Sequence, residues 1–316
     1  MQNFFNFFEE NEIDPNKNSS QNDPITFEEI YKEAIKCHHN SIADYIKDCF
    51  LEQSNIDDFS NFVIDCYNYY YFPSDIGPLI SKLDTNDFCI SQLCFSITKI
   101  SIPSSVTLIG ERSFYNCSSL TQISIPPSVT LIEENAFAYC SSLTQIEIPS
   151  SVTSIDNNAF YRCSSLEQIS IPSSVKNIGE NAFYECSSLI QISIPSSTTE
   201  IKGFTFFGCS SLRQITIPSS VKRIEYYAFN GCSSLTQIII PSSVILIENN
   251  AFEYCSALTQ ITIPSSVSLI GSFIFSDCSS LTQITIPLSV SLIKDHSFYG
   301  CSSLTQITIP SSVTSI

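Results

Sequence analysis

The residues best suited to chemistry are few. The chain of 316 residues has three histidines, His38, His39 and His296. Cys37 precedes the first two, and Cys49 and Cys66 follow at wide spacing, a set of thiols and imidazoles of the kind that holds zinc. No Cys-x-x-Cys pair supports that use, and two adjacent histidines in a polar segment suit a turn between helices. The expectation is therefore no metal and no cofactor. Serines recur in pairs, first at Ser118-Ser119, but a nucleophilic serine needs a partnered base, and no histidine recurs with them. They read as turn residues whose hydroxyls satisfy backbone N–H groups. Glu133 and Glu134 are adjacent and read as solvated edge charges rather than an acid/base pair. With eight glycines and no Gly-rich phosphate loop, the chain is not expected to be an enzyme.

The cysteines are more informative. Of fourteen, ten fall at a step of 23 residues: Cys94, Cys117, Cys140, Cys163, Cys186, Cys209, Cys232, Cys255, Cys278 and Cys301. Constant register makes them a column rather than a set of cross-links. Coils of a solenoid lie roughly 4.8 Å apart, and that Cα spacing would allow a disulfide. Parallel Cβ vectors, however, hold the Cβ atoms beyond the ~3.8 Å a bridge prefers. Reduced, buried thiols acting as small hydrophobes are expected.

The same period runs through the elements that carry these residues. A phenylalanine column extends from Phe114 to Phe298 and a proline column from Pro103 to Pro310. A period of this length is the mark of a repeat architecture. Within one unit, Leu120, Ile123 and Ile125 point inward while Gln122 and Ser124 alternate outward, so Gln122–Ile125 reads as a strand. Pro126 lacks an N–H and ends its ladder. Val129 and Ile132 point inward from a second strand, Asn135-Ala136-Phe137 reads as a helical turn, and Cys140-Ser-Ser turns the chain back. No such coil buries its apolar face alone, so stability comes from stacking.

Charge excludes some partners. The net charge is −17, and the first 97 residues contribute 17 acids against 5 bases, leaving 14 acids and 9 bases for the remainder. A strongly acidic chain without a basic stripe argues against nucleic acid and anionic lipid surfaces. No apolar run is long enough to predict a spanning helix. The N-terminus, Met1 to Glu10, has neither a basic n-region nor a continuous apolar h-region, so no secretory signal peptide is expected.

Residues 1–90 read as an acidic helical region. Thr26 with Glu29 makes a capping box, and Phe27, Ile30, Ala34 and Ile35 lie on one stripe. A second helix over Ser41–Leu51 follows. Ala34-Ile-Lys-Cys-His-His39-Asn-Ser-Ile42-Ala-Asp-Tyr45-Ile46 resembles the two-helix part of one ankyrin repeat, with His38 where that family usually has Gly.

Residues 91–316 read as a solenoid of about nine to ten 23-residue coils. Their unit, Ala-Phe-x-x-Cys-x-x-Leu-x-x-Ile-x-Ile-Pro-x-x-Val-x-x-Ile, resembles BspA-like leucine-rich repeats. Departures are local: Thr198 for Val, Ile274 for Ala, and Pro127 and Leu288 for Ser. The resemblance implies a β-rich right-handed solenoid of short strands, preceded by the small helical region. It also implies a non-catalytic surface that binds protein or glycan, in a surface antigen, adhesion or host-interaction role. Localisation reads two ways: cytoplasmic from the N-terminus, cell surface from the resemblance. An intracellular scaffold is the alternative, assembling end to end through the edge strand Gln306–Ile309.

Two outward columns form the candidate binding face. One runs from Gln122 to Gln306, the other from Ser124 through Glu147 to Thr308. Gln and Thr both donate and accept hydrogen bonds, which suits extended polypeptides or polar glycans. The middle coils are held rigid from both sides, which nominates Gln168, Gln191, Gln214 and Gln237, with Thr216 beside them and Ile239 as a local apolar anchor. A ladder of amides that merely stabilises the stack is the competing reading.

Overall fold

The structure, a computed structural model, describes residues 98–315 except 103 and 105. The expected helical region over 1–90, its ankyrin-like helix pair, the Cys37–His39 turn and the irregular first repeat at Cys94 lie outside the described residues.

Among the described residues seventeen short strands follow one another in two kinds, which alternate except where β12 is followed directly by β13 (Leu246–Ile247). The three-residue kind comprises β1 (Lys99–Ser101), β3 (Gln122–Ser124), β5 (Gln145–Glu147), β7 (Gln168–Ser170), β9 (Gln191–Ser193), β11 (Gln214–Thr216), β14 (Gln260–Thr262) and β16 (Gln283–Thr285). The two-residue kind includes β2 (Leu108–Ile109), β4 (Leu131–Ile132), β12 (Arg223–Ile224) and β17 (Leu292–Ile293). Every pairing is parallel and steps by one repeat, as in Gln145↔Gln168 and Gln191↔Gln214. The centre residue of a three-residue strand faces inward and its neighbours outward, the alternation that pleating imposes. These strands make one side of a parallel solenoid and the two-residue strands a second. The repeat over 237–239 is weaker, with only the isolated bridges Thr216↔Ile239 and Gln237↔Gln260.

The third side is not the helical turn that Asn135-Ala136-Phe137 suggests. Successive amides there alternate in direction. Those of Asn135, Phe137 and Tyr139 donate across to Asn157, Ala159 and Tyr161 of the next coil, at 3.0, 2.8 and 2.7 Å. Those of Ala136, Ala138 and Cys140 close back onto the carbonyl three residues earlier. The alternation needs two left-handed residues per coil, here Asn135 at φ 57° and Tyr139 at φ 65°. A helix would point every amide along its own axis. This geometry turns half of them sideways and bonds the third side between coils as well.

Inside, Val106, Ile109, Phe114 and Leu120 and their counterparts as far as Ile293 are buried, and Phe298, Leu304 and Val313 are partly buried. The phenylalanines form one stacked column. Neighbouring rings lie 5.0 to 5.8 Å apart, from Phe114–Phe137 to Phe275–Phe298, and tilt by no more than 16°.

The cysteine column packs beside them with a polar role the spacing did not reveal. Cys140 Sγ donates to the Phe114 carbonyl of the preceding coil at 3.1 Å, and the bond recurs as far as Cys301 to Phe275 at 3.1 Å. Cys140 through Cys301 are free thiols. Cys117 departs from the expected fully reduced column, because it is disulfide-bonded. The coil spacing of roughly 4.8 Å lies within the Cα range a disulfide tolerates, so register alone does not forbid the bond.

Serine hydroxyls also act differently from expectation. They donate to carbonyls of the preceding coil: Ser187 to Ser164 at 3.3 Å, Ser210 to Ser187 at 3.3 Å, and Ser128 to Val106 at 2.6 Å. These bonds satisfy backbone oxygens rather than N–H groups. Some contacts reach farther. Tyr226 crosses Gly203, where an added Cβ would lie 2.7 Å from its ring, and donates from its hydroxyl to Glu180 two coils back.

Three of the local departures are resolved by exposure. Leu288 is 75% exposed and Pro127 is exposed, so neither disturbs the core, whereas Ile274 is buried. Thr198 is different. It stands in the valine column at 2% exposure, and its Oγ1 has no hydrogen-bond partner. A buried unpaired hydroxyl forfeits its hydration without recompense, at roughly 1–3 kcal/mol. Thr198→Val keeps the shape and restores the column's residue. It is expected to raise stability by about 1–2 kcal/mol in chemical denaturation; an unchanged or lower midpoint refutes the assignment.

Candidate binding face

The first side of the solenoid is hollowed into a trough of about 1220 Å³ that spans the six strands from Lys99 to Thr216. Its floor is the row Ile100, Ile123, Ile146, Ile169, Ile192 and Ile215, present between the outward side chains. On one flank stand Gln122, Gln145, Gln168, Gln191 and Gln214, and on the other Ser124, Glu147, Ser170, Ser193 and Thr216. All of these flanking residues are exposed. Lys99 and Glu147 are the charged residues of the lining, so the trough is polar but close to neutral.

The glutamines are positioned by pairing, not by one another. In-register parallel bonds fix Gln168, Gln191 and Gln214 on adjacent strands β7, β9 and β11. Among the described residues, no hydrogen bond links one column amide to the next, so an amide ladder is not what holds the stack. The stack is held by backbone bonds on all three sides and by the buried columns. The amides remain as donors and acceptors facing the trough.

The nominated residues divide. Gln168, Gln191, Gln214 and Thr216 all line the trough. Gln237 and Ile239 lie one coil beyond its lining, where the regular strand gives way to isolated bridges. Ile239 is 83% exposed. Lys99, Gln122, Gln145 and Glu147 line the opposite end of the hollow. The columns themselves carried that signal; the extent of the hollow did not follow from them.

Among the described residues no group of three or more His, Cys, Asp or Glu side chains is placed to hold a metal ion. No helix among them is long and apolar enough to cross a membrane.

The comparisons with known proteins agree with this geometry. The family model described as a BspA type leucine-rich repeat region matches residues 84–213 and 199–316, in six copies. Among solved structures, the chain is similar to a leucine-rich repeat protein from Bacteroides ovatus. The two are 31% identical over 70% of this chain and 68% of that one, with a TM-score of 0.59. It is also similar to a leucine-rich repeat protein of T. pallidum, at 32% identity over 51% of this chain and 78% of that one, with a TM-score of 0.49. A leucine-rich cell surface protein from Faecalibacterium prausnitzii shares 31% identity over 73% of this chain and 78% of that one, with a TM-score of 0.46. No curated protein matches the sequence.

Proposed function

Because the chain belongs to the BspA-type leucine-rich repeat family, we propose that it is a non-catalytic binding module that takes an extended polar ligand, polypeptide or glycan, along the trough. The observation that carries this reading is the row of exposed, unpaired amides facing a row of hydroxyls broken by Glu147, above strands whose isoleucine side chains turn inward. Each coil offers the same donors and acceptors roughly 4.8 Å further on. Affinity then accumulates from many similar contacts, each net hydrogen bond being worth about 0.5–1.5 kcal/mol. A surface antigen, adhesion or host-interaction role is the setting in which such an arrayed surface is useful.

The test is a double variant, Gln191→Ala with Gln214→Ala, screened against immobilised neutral glycans and extended polypeptides. Both residues are exposed and make no side-chain hydrogen bond among the described residues, so the thermal midpoint is expected to stay nearly unchanged. Capture by the trough is expected to weaken about tenfold, the equivalent of roughly one to two net hydrogen bonds. A lowered midpoint with unchanged binding per folded molecule would make the column structural and move the search elsewhere.

A further inference from the structure

The trough repeats at the strand spacing, and that spacing selects among ligand conformations. Strands β5, β7, β9 and β11 pair without a break, in the register Gln145↔Gln168, Gln168↔Gln191 and Gln191↔Gln214. All four glutamines are exposed. Parallel pairing holds neighbouring strands roughly 4.8 Å apart, so every second glutamine recurs at about 9.6 Å.

Polypeptides advance along such a row by different steps. An extended strand rises about 3.3 Å per residue and turns alternate side chains to opposite faces. Its like positions recur at about 6.6 Å, between one coil and two. An α-helix climbs about 5.4 Å per turn, slips against each coil and ties up its own carbonyls. A polyproline II chain has three residues per turn and a rise of about 3.1 Å, which brings every third residue back to the same face after about 9.3 Å. One of its turns therefore matches two coils to within about 0.3 Å.

The chemistry of the lining agrees. A polyproline II chain makes no internal hydrogen bonds and leaves its carbonyls open along its whole length. Proline has no N–H, so a proline-rich segment offers chiefly acceptors. The trough answers with neutral donors: the amide NH2 groups of the glutamines and, opposite them, the hydroxyls of Ser124, Ser170, Ser193 and Thr216. Among the described residues no aromatic ring lines the trough. Contact then falls on the ligand's backbone rather than on its proline rings, and period discriminates more than side-chain identity.

On the reading of the trough as the binding face, on which this step rests, we propose that its occupant is a proline-rich polypeptide segment in the polyproline II conformation. It lies along the solenoid axis, one turn to every two coils. Such a segment arrives already ordered, which lowers the entropic cost of binding. Two equivalent settings exist, one coil apart: Gln145 with Gln191, or Gln122 with Gln168 and Gln214.

The test uses the full chain and fluorescence polarisation with a labelled peptide of five Pro-Pro-Ser triplets. Five Gly-Gly-Ser triplets keep the period without the stiffness, and four Pro-Pro-Pro-Ser quadruplets keep the stiffness without the period. Each comparator is expected to bind about tenfold more weakly. Two double variants then read the register. Gln145→Ala with Gln191→Ala leaves Gln122, Gln168 and Gln214 at two-coil steps and is expected to cost at most about twofold. Gln168→Ala with Gln191→Ala leaves no two glutamines of the trough two coils apart and is expected to cost about tenfold. Equal losses in the two double variants would overturn the proposal, as would equal affinity for either comparator peptide. Capture of a neutral oligosaccharide but of none of the peptides would also overturn it while leaving the trough as the binding face. Peptide binding indifferent to both double variants would remove the trough reading as well.

Discussion

Raising the pH from 8 to 10 is expected to unfold the solenoid while leaving its covalent structure intact. The cause is the thiol column. Burial pushes Cys140, Cys186, Cys209, Cys232, Cys255 and Cys278 above the ordinary thiol value of 9.0, with Cys255 reaching about 12. The less buried Cys301 reaches about 11. In the unfolded chain these thiols ionise near 9; in the native state they stay protonated, each donating to a carbonyl. A raised native value means that the stability is complete below pH 9 and is lost as the pH climbs toward the native values. Each such thiol withdraws about 1.4 kcal/mol by pH 10. The six buried ones together withdraw on the order of 8 kcal/mol, comparable with the whole stability of an ordinary domain. Guanidinium denaturation at pH 8, 9 and 10 under reducing conditions measures this. Cys209→Ala and Cys232→Ala are each expected to reduce the loss at pH 10 by about 1.4 kcal/mol. A midpoint independent of pH between 8 and 10 would show that the column does not govern alkaline stability.

The second large effect is local. Phe206→Ala is expected to cost about 3–5 kcal/mol. Phe206 is 1% exposed and stacks at 5.7 Å on Phe183 and at 5.4 Å on Phe229. Truncation therefore opens a cavity between two rings that backbone bonds on three sides prevent from closing. In a solenoid each coil touches only its neighbours, and stability is roughly a sum of units and interfaces. The damage should then divide the array, and unfolding should change from one transition to two. Phe298→Ala supplies the comparison. Phe298 is only partly buried, so its truncation is expected to cost less and leave a single transition. Similar losses at both positions would contradict a one-dimensional stack.

Much of this was legible because repetition averages out ambiguity. One Phe or one Cys decides little; a column of them at constant spacing fixes register, pleat and core together. Gln122 and Ser124 are assigned outward by the alternation with Ile123, and the strands fall there. The third side was not legible, because its turns depend on left-handed backbone at Asn135, Tyr139 and Glu185. Glycine betrays that conformation only at Gly208, Gly231 and Gly300. The length of the trough was hidden too.

The strict parallel register has a further consequence. A coil docked one repeat out of place would find the same isoleucines, the same cysteine and the same phenylalanine waiting for it. The repeated contacts therefore state how coils join but not which coils join. That information must lie in whatever breaks the symmetry. Arg162 has its carboxylate only in Glu185, Arg223 reaches Glu248 at 3.0 Å, and Tyr226 finds Glu180 across Gly203, the one glycine of its column. Such pairs contribute little to stability where they are exposed, yet they work as address labels. They distinguish the correct neighbour from its near copies and so guard a nearly uniform array against skipping a turn.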